Sequence, residues 1–217
     1  MNCDGLPPLA QALSPGQNED GPHRGTLCGI GVGPGDPELI TWKGIRCIQS
    51  VSVVAFPAGI GGKPGIAEQI AAQWLTPGHQ TLALEFPYVH DENVLQSAWQ
   101  RAAEQVWSHL AQGRDVAFLS EGDISFYSTF TYLAQTLTKF HPEATIEAIP
   151  GICSPLATAA VLGLPLTIYD QRLTILPALH TITHLETALD TADVVVLMKV
   201  KSVYDQVWPI LKQRSLL

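Results

Sequence analysis

Along this chain, short apolar runs alternate with longer stretches whose apolar positions recur at helical spacing. The runs fall at 26–31, 51–56, 81–86, 116–120 and 145–149. Near-continuous apolar runs of this length predict strands covered on both faces. The stretches between them, 38–50, 66–75, 92–112 and 126–140, read as amphipathic helices. Such alternation predicts βαβ units and a mostly parallel, doubly wound sheet. A further helix, 154–162, runs into Gly163-Leu164-Pro165-Leu166, which reads as a connection. Two more strands, 173–176 and 194–198, with helices over 182–189 and 203–212, predict a smaller second α/β lobe. The expected organisation is a mobile extension over 1–24, a first α/β domain over 25–166 and a second over 167–217. In open sheets of this kind ligands bind outside the carboxyl ends of the strands, so the loops there carry the candidate chemistry. A cleft between the lobes is the expected place.

Composition narrows the class. Of 217 residues, 46% are hydrophobic and 15% charged, the mix of a globular chain with a filled core. No apolar run approaches the ~20 residues that span a bilayer. Net charge is −8, with 12 Lys and Arg against 20 Asp and Glu. No basic stripe interrupts that balance, which argues against nucleic acid as a partner. The cysteines Cys3, Cys28, Cys47 and Cys153 lie outside metal-ligand spacing, so zinc is not expected. His180 and His184 have i, i+4 spacing, but Thr181 stands where a zinc protease needs Glu. With no secretory h-region, the expected compartment is the cytoplasm.

Three strand-end loops stand out. The first is Gly31-Val32-Gly33-Pro34-Gly35-Asp36-Pro37-Glu38, where Asp36 suits an N-cap and Pro37 the first helical position. Its third glycine is misplaced for the dinucleotide fingerprint, and Gly61-Gly62-Lys63-Pro64 fails as a P-loop, so phosphate cradling is not indicated. The second, 120–129, gathers Glu121, Gly122, Asp123 and several hydroxyls before a helix. It suits either a favourable helix dipole or a polar, partly cationic ligand. The third, Pro150-Gly151-Ile152-Cys153-Ser154, is a sharp turn with Ser154 placed to cap the next helix.

Taken in order, these loops resemble the tetrapyrrole (class III) methyltransferase family. That family carries Gly-x-Gly-Pro-Gly-Asp after its first strand, a Gly-Asp loop after the fourth and a Pro-Gly turn after the fifth. Within it the likeness is greatest to the precorrin-2 (or cobalt-factor II) C(20)-methyltransferases. It rests on Phe56-Pro57-Ala58, Leu84-Glu85-Phe86-Pro87, the segment 122–129 and Val196-Leu197-Met198-Lys199, and covers about 26–212. Tyr88 departs from it, where those enzymes carry Met. The resemblance implies methyl transfer from S-adenosyl-L-methionine to a tetrapyrrole in cobalamin biosynthesis, by a cytoplasmic homodimer. It implies donor contacts at Pro34, Glu121, Gly122, Asp123, Phe126, Cys153, Ser154 and Met198. A carboxylate-rich substrate needs cations, for which Lys43, Lys63, Arg172, Lys199 and Lys201 are the candidates. The family continues into further second-lobe strands, so the second lobe reads as shortened at its C-terminus. Another ring position, or a truncated binding protein without catalysis, are the alternatives left open by the sequence.

Overall fold

A computed structural model describes residues 8, 23–59, 61, 63–87, 89, 91–178 and 182–216. The expected extension therefore lies almost wholly outside the described residues, as do Tyr88 and His180. The chain divides into two compact units, one ending at Ser154 and one beginning at Pro155.

The first unit holds five parallel strands in the order β3-β2-β4-β1-β5. These are β1 (Thr26–Gly31), β2 (Val53–Pro57), β3 (Gln80–Leu84), β4 (Val116–Ser120) and β5 (Thr145–Ile149). The helices between them are α1 (Trp42–Ser50), α2 (Ile66–Ala71), α3 (Glu92–Leu110) and α4 (Phe130–Phe140). Period-two alternation sends successive side chains to opposite faces. Leu27, Val53, Ala55, Val116, Phe118 and Ile146 pack with α3 and α4 on one face. Cys28, Ile30, Val54, Phe56, Ala117 and Leu119 pack with α1 and α2 on the other. Both faces are thus apolar, which is why the central strands read as continuous runs. On the second face the neighbouring Cys47 thiol, and then burial, push the Cys28 thiol far up.

Two helix starts differ from expectation. Asp36 accepts from the Glu38 N–H at 2.8 Å, but caps only a 3-10 turn, Pro37–Leu39. Ile40 is extended, and α1 begins at Trp42 because the Thr41 hydroxyl accepts from the Gly44 N–H at 3.1 Å. Likewise α4 starts at Phe130, not 126, since Tyr127 has φ +53° and the Ser128 hydroxyl accepts from the Phe130 N–H.

The second unit contains α5 (Ser154–Leu162, its first residue belonging to the first unit), β6 (Leu173–Leu176), α6 (Ile182–Thr191), β7 (Val194–Leu197) and α7 (Tyr204–Gln213). Its two strands are parallel and joined through α6. Leu185 and Val207 fill a small core with Leu176, Leu197 and Ile210. The boundary after Ser154, earlier than the expected 166, places the body of α5 in this unit rather than the first.

Candidate active site

The carboxyl ends of β1 and β4 are adjacent, because their registers pair Gly31 with Ser120. Beyond the strands the two loops stay joined. The Val32 N–H donates to the Ser120 carbonyl at 2.9 Å. The Gly33 N–H donates to the Gly122 carbonyl at 3.1 Å, and the Gly122 N–H returns to the Gly33 carbonyl at 2.8 Å. Gly33 and Gly122 make this bridge with φ of +79° and +73°, a region glycine occupies without strain.

The third loop is drawn in by contact between backbones. A Cβ at Gly151 would lie 2.3 Å from the Gly122 carbonyl oxygen and 2.6 Å from the Gly31 carbonyl group. One at Gly31 would lie 2.6 Å from the Gly151 nitrogen. Only glycine at both places lets the turn after β5 close on the other two. Asp123 then fastens it: its Oδ2 accepts from the Gly151 N–H at 2.8 Å, while Oδ1 accepts from the Ser125 N–H at 2.9 Å and the Ser125 hydroxyl at 2.6 Å. Partial burial pushes the Asp123 carboxyl up, but the hydrogen bonds from Ser125, Gly151 and Ile124 together outweigh it and hold the group below the usual carboxylate range. Beneath the loop, the buried hydroxyls of Ser120 and Ser128 bond at 2.8 Å.

The first-unit candidates thereby gather at one rim. Pro34 is half-buried beside Gly33; Glu121 is exposed; Phe126 is half-buried and meets Tyr127 edge-on at 4.7 Å between centroids. Cys153 is half-buried and Ser154 exposed, directly after the Gly151 turn. Lys43 and Lys63 are exposed and follow β1 and β2 on the same side of the sheet. Around this floor the structure leaves approach open: a Cβ at Gly35 or Gly122 would meet nothing within 4 Å. Open space over Gly35 and Gly122, with the exposed Glu121 carboxylate beside it, fits a ligand carrying a cation.

The remaining candidates lie in the second unit. Met198 and Lys199 follow β7, with the Met198 N–H donating to the Leu176 carbonyl at 2.9 Å and Lys199 left-handed at φ +54°. Lys201 is exposed in the next turn. Arg172 precedes β6, at the opposite end of this sheet from Lys199, and its guanidinium pairs with Asp193 at 3.5 Å. Strands of four residues set those ends about 13 Å apart, so Arg172 and Lys199 do not form one cationic group. Sequence reasoning missed the roles of Gly31, Gly151, Ser125 and Ser128. Among these, only the glycines carried a local signal.

The chain matches the family of tetrapyrrole (corrin/porphyrin) methylases over residues 26–216. It belongs to that family. It is 36% identical over 202 residues to the cobalamin biosynthesis protein CobIJ of Mycobacterium tuberculosis, a match covering 89% of this chain and 39% of that protein. The chain thus spans about two-fifths of that relative. It is 33% identical over 187 residues to the probable cobalt-precorrin-2 C(20)-methyltransferase of Methanocaldococcus jannaschii, covering 86% of this chain and 77% of that one. Among solved structures, the cobalt precorrin-4 methyltransferase CbiF superposes with a TM-score of 0.61 at 22% identity, over 94% of this chain and 75% of that one. That likeness establishes the fold. Relatives within the tetrapyrrole methylase family are named as methyltransferases, and S-adenosylmethionine is the family's methyl donor. Among the described residues, no helix is long and apolar enough to cross a membrane.

Proposed function

We propose that this tetrapyrrole methylase transfers a methyl group from S-adenosylmethionine to C(20) of precorrin-2 or its cobalt form, in cobalamin biosynthesis. One observation carries the reading: three loops distant in sequence are locked together at a single sheet rim, with open backbone at Gly35 and Gly122. The choice of C(20) is supported by relatives of that name from Methanocaldococcus jannaschii and Salmonella typhimurium, 33% and 30% identical.

The donor supplies an electrophilic methyl on a sulfonium; an electron-rich macrocycle carbon accepts it as the sulfur–methyl bond breaks, leaving S-adenosylhomocysteine, and one proton is released from the macrocycle. The chain's own task is placement. Pro34, Gly122, Phe126, Cys153 and Ser154 line the donor's position, and Glu121 offsets its positive charge. Lys43 and Lys63 meet substrate carboxylates at the same rim. Holding methyl and carbon in line contributes about 7–11 kcal/mol in favourable cases, enough to carry most of the acceleration without a protein nucleophile. Met198 enters this reading through the family resemblance alone, and Lys199 and Arg172 through the substrate's need for cations. The reading includes a homodimer working in the cytoplasm, which sedimentation and cell fractionation test.

The test is product analysis. Purified protein, methyl-labelled donor and precorrin-2 or cobalt-precorrin-2 are predicted to yield one added methyl, located at C(20) by NMR. A methyl at another carbon assigns a different position; cofactor binding without any product assigns the non-catalytic alternative.

A further inference from the structure

We propose that Asp123 serves the donor site as a positioning residue, a latch that holds the Gly151 turn against the Gly122 loop, rather than as a contact to the donor. This rests on the proposed function and assigns a role within that site. Both carboxylate oxygens are engaged inward: Oδ2 takes the Gly151 N–H, and Oδ1 takes both donors of Ser125. The two ends of the latch belong to loops 28 residues apart, and no strand ladder joins them, because the Gly151 turn lies past the last β5 residue paired to β1, Ile149. The backbones it brings together have no slack, as the 2.3 Å separation of a Gly151 Cβ from the Gly122 oxygen shows. Releasing the latch therefore lets Ile152, Cys153 and Ser154 drift from the Gly122 loop while the sheet beneath stays intact. The latch also accounts for the choice of carboxylate: Asn offers one acceptor oxygen, and its amide would face an N–H or O–H donor on the other side.

Amide hydrogen exchange on ligand-free protein, with calorimetry of S-adenosylhomocysteine binding, tests this. Asp123→Ala is predicted to speed exchange at the Gly151 amide by about 10-fold or more, the loss of one charge-assisted hydrogen bond, before any ligand is added. Exchange within β1 and β4 stays at the wild-type rate. Donor affinity falls by about 10–100-fold on the same scale, and in steady state the loss falls more on the donor KM than on kcat. Ser125→Ala, which removes one of the two donors to Oδ1, gives a smaller change of the same kind and serves if Asp123→Ala does not fold. Asp123→Asn lies between alanine and wild type. The proposal is overturned if Asp123→Ala leaves Gly151 exchange unchanged in the free protein while abolishing binding, since Asp123 is then a ligand contact. It is equally overturned if neither quantity changes. Failure of the wild-type protein to bind S-adenosylhomocysteine refutes the proposed function instead, and leaves the exchange result to judge the latch.

Discussion

Replacing Gly151 with alanine perturbs the convergence of the loops at its tightest point. The added carbon would sit 2.3 Å from the Gly122 carbonyl oxygen and 2.6 Å from the carbonyl carbon and oxygen of Gly31. All three neighbours are backbone, so no side chain can rotate away. Reaching ordinary contact requires the turn to retreat by about 1 Å. Overpacking of this kind costs about 1–3 kcal/mol. The retreat also stretches the Gly151 N–H bond to Asp123, worth about 1.5–3 kcal/mol because its acceptor is charged. Together these predict about 4 kcal/mol, or a fall in Tm of about 8–16 °C for a chain of this size. Thermal unfolding followed by circular dichroism measures it, with S-adenosylhomocysteine calorimetry alongside. Wild-type stability and affinity in Gly151→Ala would refute the claim that the turn is closed onto the other loops.

Gly122→Ala is predicted to separate binding from stability: its φ of +73° costs about 1–2 kcal/mol, yet its methyl meets no protein atom within 4 Å and projects where the donor is proposed to lie. Calorimetry should show affinity lost by more than that strain accounts for, and full retention of affinity would exclude the donor from that space. Gly29→Ala drives a Cβ to within 2.5 Å of the buried Phe130 ring, so it destabilises, and Phe130→Leu in the same chain should recover part of the loss; denaturant midpoints showing simple additivity would refute that coupling. Burial, and then the Arg114 guanidinium, hold His109 below the ordinary imidazole range. The unfolded chain then takes up the proton first, so this contribution to stability is intact above about pH 6.5 and declines as pH falls. Urea unfolding at pH 7 and pH 5.5 should show a shallower decline in His109→Gln than in wild type; equal slopes would remove His109 as a cause.

The fold was legible where burial imposes composition. Strands 26–31 and 116–120 match residue for residue because nearly all their positions are buried and tolerate little polarity; 145–149 matches too, although at the sheet edge it leaves Glu147 and Ala148 exposed. Helix starts were less legible, since competing turn-forming side chains decide them: Asp36 against Thr41, and Asp123, which accepts from the Ser125 N–H, against Ser128. The order of the three loops was readable from sequence. Their mutual grip was not, because it depends on Gly31, Gly122 and Gly151 meeting in space, and no spacing rule links residues of separate strands. Arg172 shows what spacing and residue type leave out. Its chemistry suits a carboxylate ligand, but the carboxylate it faces is Asp193 of its own unit.

The most direct test of the account is a crystal structure of the chain with S-adenosylhomocysteine bound. The ligand is predicted to rest over Gly122, touching the Gly33–Gly35 backbone, Glu121 or Phe126, and Cys153 or Ser154 at once. A ligand seated away from that rim, or held by one of the loops with the other two uninvolved, would contradict it.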